Sequence, residues 1–137
     1  MADNPSQDTT ALKCECRAEE IILLPCAGGS TCGQIANEVA VRLTQAGAGT
    51  IYCLAGIGAH VEGMVESAKG AKRIVALDGC STACAKKVIE HAGLTVTDWI
   101  CVTEAGISKN HQFRLSAGDI ALITQHTREL LSKPVKN

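Results

Sequence analysis

The sequence predicts a three-layer α/β fold, in which a mostly parallel four-stranded sheet is flanked by helices as in Rossmann and flavodoxin-like proteins. Short apolar stretches alternate four times with stretches that carry apolar residues at helical spacing. Such alternation is typical of parallel sheets joined by right-handed crossovers. Of the 137 residues, 46% are hydrophobic, which suits one domain with a substantial core. We expect the strand order 2-1-3-4.

The first strand and helix come early in the chain. Residues 21–24 (Ile-Ile-Leu-Leu) form a continuous apolar run, as a strand buried on both faces requires. Ser30 or Thr31 can cap a helix that we predict over residues 31–46. Its inner face carries apolar residues four positions apart, which are Ile35, Val39 and Leu43.

Two further units repeat this order. The second has an apolar strand at residues 50–54 and a helix at residues 61–69, with glycines in the turn between them. The third has a strand at residues 73–77 and a helix at residues 82–92, joined by the turn Asp78-Gly79-Cys80. Each turn therefore lies where a strand passes into a helix.

The fourth unit completes the predicted fold. A strand at residues 95–102 is followed by a polar loop at residues 104–114. Ser116 can cap a last helix over residues 117–131. Its predicted inner face consists of Ile120, Ile123, Thr127 and Leu130.

Composition also predicts the domain limits and the compartment. Residues 1–18 are polar and are predicted to be a disordered tail, residues 19–132 a single α/β domain, and residues 133–137 a short C-terminal tail. The N-terminus lacks the hydrophobic segment of a secretory signal. No apolar run approaches the roughly 20 residues that span a bilayer. We therefore expect a cytoplasmic protein.

Charge and motif content argue against several functions. A net charge of −1 and an aromatic content of 2% offer no footprint for nucleic acid or for a membrane surface. Residues 28–35 approach a P-loop, but Gln34 and Ile35 stand where Lys and Ser or Thr are required. Gly56-Ile57-Gly58 begins like a dinucleotide fingerprint, but Val61 replaces the third glycine.

The strongest functional signal is the placement of the cysteines. The chain has eight of them, and in a reducing compartment they indicate metal binding, catalysis or burial. Cys26, Cys53 and Cys80 lie at or just past the ends of the first three strands, and Cys84 lies on the next helix turn. These four fall at the carboxyl edge of the sheet, where open α/β sheets bind ligands. Four thiolates suit tetrahedral zinc, so we predict a zinc site at this edge.

Each cysteine also has a simpler interpretation as a small core residue. That interpretation is favoured for Cys101, which lies inside an apolar strand, and it competes evenly for Cys53. It is weaker for Cys80 and Cys84, because this pair brackets a turn and the start of a helix.

Several other polar residues keep two interpretations. Cys32 is either a fifth thiol near the site or a helix residue that packs inward. Cys14 and Cys16 lie in the predicted tail, where we expect no role. His60 is either a ligand or acid/base group, or a solvated surface residue. Asp78 can hydrogen-bond its own turn, which we favour, or orient a metal shell from outside.

Three segments together resemble the DGC-domain proteins, small prokaryotic proteins named for the tripeptide Asp-Gly-Cys. The segments are Cys26-Ala27-Gly28-Gly29-Ser30 with Gly33-Gln34, Tyr52-Cys53-Leu54-Ala55-Gly56-Ile57-Gly58, and Asp78-Gly79-Cys80 with Cys84-Ala85-Lys86-Lys87. The resemblance covers residues 20–131, although Ser81 stands where the family often has Pro. It implies zinc binding through four hallmark cysteines, which here are Cys26, Cys53, Cys80 and Cys84, and it implies no reaction.

Two functional classes remain. In the first, a closed metal site makes the protein a structural, sensing or metal-handling module. In the second, the same cysteine cluster serves a redox or sulfur-transfer enzyme. No general acid/base pair stands out in the sequence, so we favour the binding module over the enzyme. The expected partner is a metal ion, and the sequence identifies no protein partner.

Overall fold

The computed structural model describes residues 20–135 and contains one parallel sheet of four strands. Their order is β2-β1-β3-β4, which confirms both the predicted fold class and the predicted strand order. The strands are β1 (Ile21–Pro25), β2 (Thr50–Ile51), β3 (Arg73–Asp78) and β4 (Asp98–Cys101). The predicted N-terminal tail, with Cys14 and Cys16, lies outside the described residues, as do the last two residues of the chain.

Helices cover both faces of the sheet. They are α1 (Thr31–Gln45), α2 (Leu54–Gly58), α3 (Glu62–Ala68), α4 (Cys84–His91) and α5 (Ala117–Leu131), with a 3₁₀ helix at Val102–Ala105. One core lies between the sheet and helices α1 and α5. A second core lies between the opposite face and helices α2, α3 and α4. Because both faces are covered, the central strands β1 and β3 are apolar at consecutive positions.

Both predicted helix caps are confirmed. Ser30 Oγ accepts a hydrogen bond from the Gly33 amide at 3.1 Å. Ser116 Oγ accepts one from the Asp119 amide at 3.2 Å. Each serine thus satisfies an N–H group that the first helical turn leaves without an intrahelical acceptor.

The second strand is shorter than predicted. Residues 50–54 were expected to be extended, but β2 ends at Ile51 and α2 (Leu54–Gly58) begins three residues later. Cys53 caps this helix, since its Sγ accepts from the Gly56 amide at 3.4 Å. A short apolar run does not distinguish a strand from a buried helical turn, and here residues 54–58 form a helical turn that packs against α4.

A buried ion pair joins β3 and β4 at the N-terminal ends of these strands. The Arg73 guanidinium donates to both carboxylate oxygens of Asp98, at 2.9 and 3.0 Å. It also donates to three carbonyl groups at the C-terminal end of α5, which belong to Leu130, Leu131 and Lys133. The pair therefore ties β3, β4 and α5 together. Within residues 20–135, no helix has the length and apolar character that a membrane span requires.

Candidate functional site

Glycines let the loops after β1 and β3 approach each other at the carboxyl edge of the sheet. A Cβ added to Gly33 would stand 2.7 Å from the Gly28 backbone nitrogen. A Cβ added to Gly79 would stand 2.5 Å from the Gly33 backbone nitrogen. Real Cβ atoms do not come this close to backbone, so only glycine permits the contact. The result is that the Cys26 loop and the Cys80 loop share one small region.

A cavity of about 330 Å³ opens above these glycines. Its lining includes Cys26, Cys80 and Cys84, three of the four cysteines predicted from strand ends. Cys53 does not line it. That residue is exposed at the cap of α2, beside a neighbouring cavity whose lining includes Tyr52, Leu54 and Cys26. The structure thus places Cys26, Cys80 and Cys84 around one cavity, whereas Cys53 lies beside the neighbouring cavity.

Cys26 forms the half-buried floor of the cavity. Its Sγ accepts a hydrogen bond from the Gly79 amide at 3.4 Å. Burial raises the pKa of the Cys26 thiol, and amides of Gly79 and Gly28 partly offset this effect. The negative charges of Asp78 and Cys84 raise it further. Cys26 is therefore a thiol that stays protonated near neutral pH unless a cation comes close.

Cys80 has the opposite electrostatic environment. Hydrogen bonds from the Thr82 side chain and from the Thr82 amide lower the pKa of the Cys80 thiol. Lys109 adds to this effect, with its Nζ 3.5 Å from the Cys80 sulfur. The side chain is partly exposed, so Cys80 combines access with a stabilised thiolate, which are the marks of a reactive cysteine.

Cys84 is the first residue of α4, and hydrogen bonds to Asp78 fix the start of this helix. The preceding residue, Ala83, has a φ of 58° and contributes no side-chain cap. Instead, the buried Asp78 carboxylate accepts hydrogen bonds from the Ala85 and Lys86 amides at 2.7 and 3.1 Å. The expectation that Asp78 hydrogen-bonds its own turn is wrong, because its carboxylate oxygens accept hydrogen bonds from the first turn of α4 instead.

The remaining described cysteines lie in the core. Cys32 is fully buried in α1, and its Sγ donates to the Ser108 carbonyl at 3.5 Å. Burial raises the pKa of the Cys32 thiol, and the nearby Cys80 raises it further. Cys32 therefore packs inward, and it also lies near Cys80. Cys101 is also buried, with Thr103 Oγ1 3.4 Å from its sulfur.

Sequence reasoning missed Thr82, which lines the cavity, and two further lining residues, Lys109 and His111. Both belong to the polar loop after β4, which folds back over the start of α1. Thr31 anchors it, since its amide donates to the Asn110 carbonyl at 2.8 Å and its hydroxyl donates to Asn110 Oδ1 at 2.6 Å. No motif or spacing marks these residues, because a long-range contact places the loop.

The cavity has donors that suit zinc, since thiolates are common zinc ligands. Their arrangement is not a ready coordination shell. Among residues 20–135, no group of three or more His, Cys, Asp or Glu side chains is arranged to hold a metal ion. A metal would therefore require side chains at this edge to rotate and Cys53 to approach the other three sulfurs.

Comparison with known proteins identifies the family. No solved structure matches the chain. The chain is 30% identical over 111 residues to a protein of Pseudomonas aeruginosa named anaerobic and virulence modulator AnvM, and the match covers 81% of this chain and 85% of that protein. The DGC domain matches residues 22–127, a stretch that contains the cavity, its three cysteines and Cys53. The chain therefore belongs to the DGC-domain family.

Proposed function

We propose that the chain binds a zinc ion through the thiolates of Cys26, Cys80 and Cys84, with Cys53 as the fourth sulfur donor. The observation that carries this proposal is the cavity at the carboxyl edge of the sheet, because three of these thiols line it. Zinc would supply a closed, redox-inert site that suits a structural, sensing or metal-handling role.

The electrostatics of the cavity support a bound cation. Burial is the largest cause of the raised pKa of Cys26, and the charges of Asp78 and Cys84 raise it further, so this environment disfavours a thiolate at that position. A cation between the sulfurs would remove this cost, and metal binding would release the thiol protons. The amides of Gly79 and Gly28, which already point at the Cys26 sulfur, would then stabilise the thiolate from outside the shell.

Cys53 is the ligand that must move. It caps a helix of only five residues and is exposed. Because the Cys53 side chain is exposed, it can change its rotamer while Ile57, which is fully buried, keeps α2 in the core. Cys26 lines both the thiol cavity and the cavity beside α2. It therefore lies between Cys53 on one side and Cys80 and Cys84 on the other.

We also propose that the site regulates rather than catalyses. The similarity to a protein named an anaerobic and virulence modulator supports such a role. A cytoplasmic location fits it, because a reducing compartment keeps thiols available for metal.

Metal analysis of protein purified without chelator tests the proposal. We expect about one zinc ion per chain, lost in the Cys26→Ser, Cys53→Ser, Cys80→Ser and Cys84→Ser variants. Cys101→Ser is the matched control, because Cys101 is buried away from the cavity, and it should keep its zinc. Folded, metal-free protein whose eight thiols all titrate freely contradicts the proposal. If Cys53→Ser is the one variant of the four that keeps its zinc, only the assignment of Cys53 as the fourth donor is contradicted.

A second candidate function is thiol chemistry at Cys80, in redox or sulfur transfer. The specific observation is the lowered pKa of this partly exposed thiol, beside Thr82 and Lys109. In this case Cys80→Ser should fold normally yet lose the fast-reacting thiol at position 80. The two functions differ in one measurement, since added zinc should slow alkylation of Cys80 only if Cys80 is a metal ligand.

A further inference from the structure

Two histidines meet on the surface beside the second helix layer. His60 follows α2, and His91 is the last residue of α4. Their nitrogens, Nε2 of His60 and Nδ1 of His91, are 3.2 Å apart. The ring planes cross at 78°, with centroids 5.2 Å apart. Both side chains are exposed, so this contact contributes no core burial.

The spacing of the two nitrogens suits a shared metal ion. In a tetrahedral site with metal–nitrogen bonds of about 2.0–2.1 Å, two bound imidazole nitrogens stand roughly 3.3–3.4 Å apart. The observed 3.2 Å is close to that separation. Without metal, one ring must donate its N–H to the other. A metal ion would take the place of that shared proton after a small rotation of each ring.

The backbone at His60 supports a directed placement of its ring. His60 has a φ of 58°, in the left-handed region that favours glycine or asparagine. The turn is closed by the hydrogen bond from the Val61 amide to the Gly56 carbonyl at 2.9 Å. This conformation brings the His60 ring against the end of α4.

We propose that His60 and His91 form a second metal site, separate from the thiol cavity, that takes a borderline divalent cation such as Zn²⁺. Imidazole suits such cations, and water would fill the remaining positions because the pair is exposed. Lys87 lines the same shallow pocket as His91, and its positive charge makes this site weaker than a thiolate site. The ion would pin α2 to α4 at the ends opposite Cys53 and Cys84.

A zinc titration of the full chain, followed by NMR of the imidazole nitrogens and by equilibrium dialysis, tests the proposal. Zinc should shift the ring signals of His60 and His91, and the parent should bind one more zinc ion than His60→Asn or His91→Gln. Asparagine tolerates the left-handed backbone, so His60→Asn should keep its fold. His126→Gln is the matched control, since His126 is exposed on α5, and it should bind as the parent does.

Two results would overturn the second site. One is equal zinc stoichiometry in the parent, His60→Asn and His91→Gln, with unshifted ring signals. The other is an equal loss in His126→Gln, which would mean non-specific binding to any surface histidine. Because the readout is on imidazole nitrogens, it is independent of whether the cysteines hold zinc.

Discussion

The Asp78 carboxylate accepts a hydrogen bond from the Trp99 indole Nε1 at 2.9 Å, so one side chain joins β3 to β4. The same carboxylate holds the first turn of α4. Since α4 begins at Cys84, Asp78, which itself lines the thiol cavity, positions one wall of that cavity through these hydrogen bonds. The relationship gives the Asp of the Asp-Gly-Cys tripeptide a physical role.

Removal of this carboxylate should destabilise the fold. Asp78→Ala leaves the indole N–H and two helix amides without their acceptor in a buried place, at a cost of about 2–4 kcal/mol. Urea unfolding followed by the fluorescence of Trp99, the one tryptophan of the chain, measures it. Glu104→Ala, at an exposed position, should change the free energy of unfolding by no more than about 0.5 kcal/mol. Equal stability of the two variants would contradict the capping role.

The close approach of the loops should make Gly79 intolerant of any side chain. In Gly79→Ala the new Cβ meets the backbone of Gly33 and Cys32, which we expect to cost about 1–3 kcal/mol or more. Gly63→Ala is the control, because nothing lies within 4 Å of its added Cβ in α3. That change should stabilise the helix by roughly 0.5–1 kcal/mol. Thermal melts of both variants decide the matter, and a stable Gly79→Ala protein would refute the packing argument.

The reactivity of Cys80 should depend on Thr82 more than on Lys109. Hydrogen bonding by Thr82 is the larger cause of the lowered Cys80 pKa. A lowered pKa means more thiolate near neutral pH than an ordinary cysteine has. Thr82→Val should therefore shift the pH profile of iodoacetamide alkylation to higher pH, and Lys109→Gln should shift it less. Metal-free protein and mass spectrometry of the modified residue give the profile, and an unchanged profile in both variants would show another origin for the reactivity.

Cys101 should matter for packing alone. It is 7% exposed in β4, so Cys101→Ala should cost on the order of 1 kcal/mol and leave the metal content unchanged. Thermal unfolding and metal analysis of the same sample measure both quantities. Loss of metal from this variant would mean that the proposed ligand set is wrong.

Local sequence patterns were sufficient to predict most of the architecture. The apolar runs of β1 and β3, the caps Ser30 and Ser116, and the alternation of strands with helices all depend on neighbours in the chain. A parallel sheet with helical crossovers then follows from general rules of chain connection. Those same rules place the ends of the strands at one edge, which is why Cys26, Cys80 and Cys84 could be expected to converge.

What the sequence left open depended on contacts between distant segments. The sequence pattern of residues 50–54 fits a strand as well as a helical turn. In the structure, Cys53 caps the short helix α2 and therefore lies outside the thiol cavity. The amino-acid sequence by itself was sufficient to predict that Cys26, Cys80 and Cys84 lie at the carboxyl edge of the sheet. Only the tertiary structure decided that Lys109 lies beside Cys80 and that His60 meets His91. Loop positions and side-chain pairings arise from long-range packing, for which the periodicity of a single segment carries no signal.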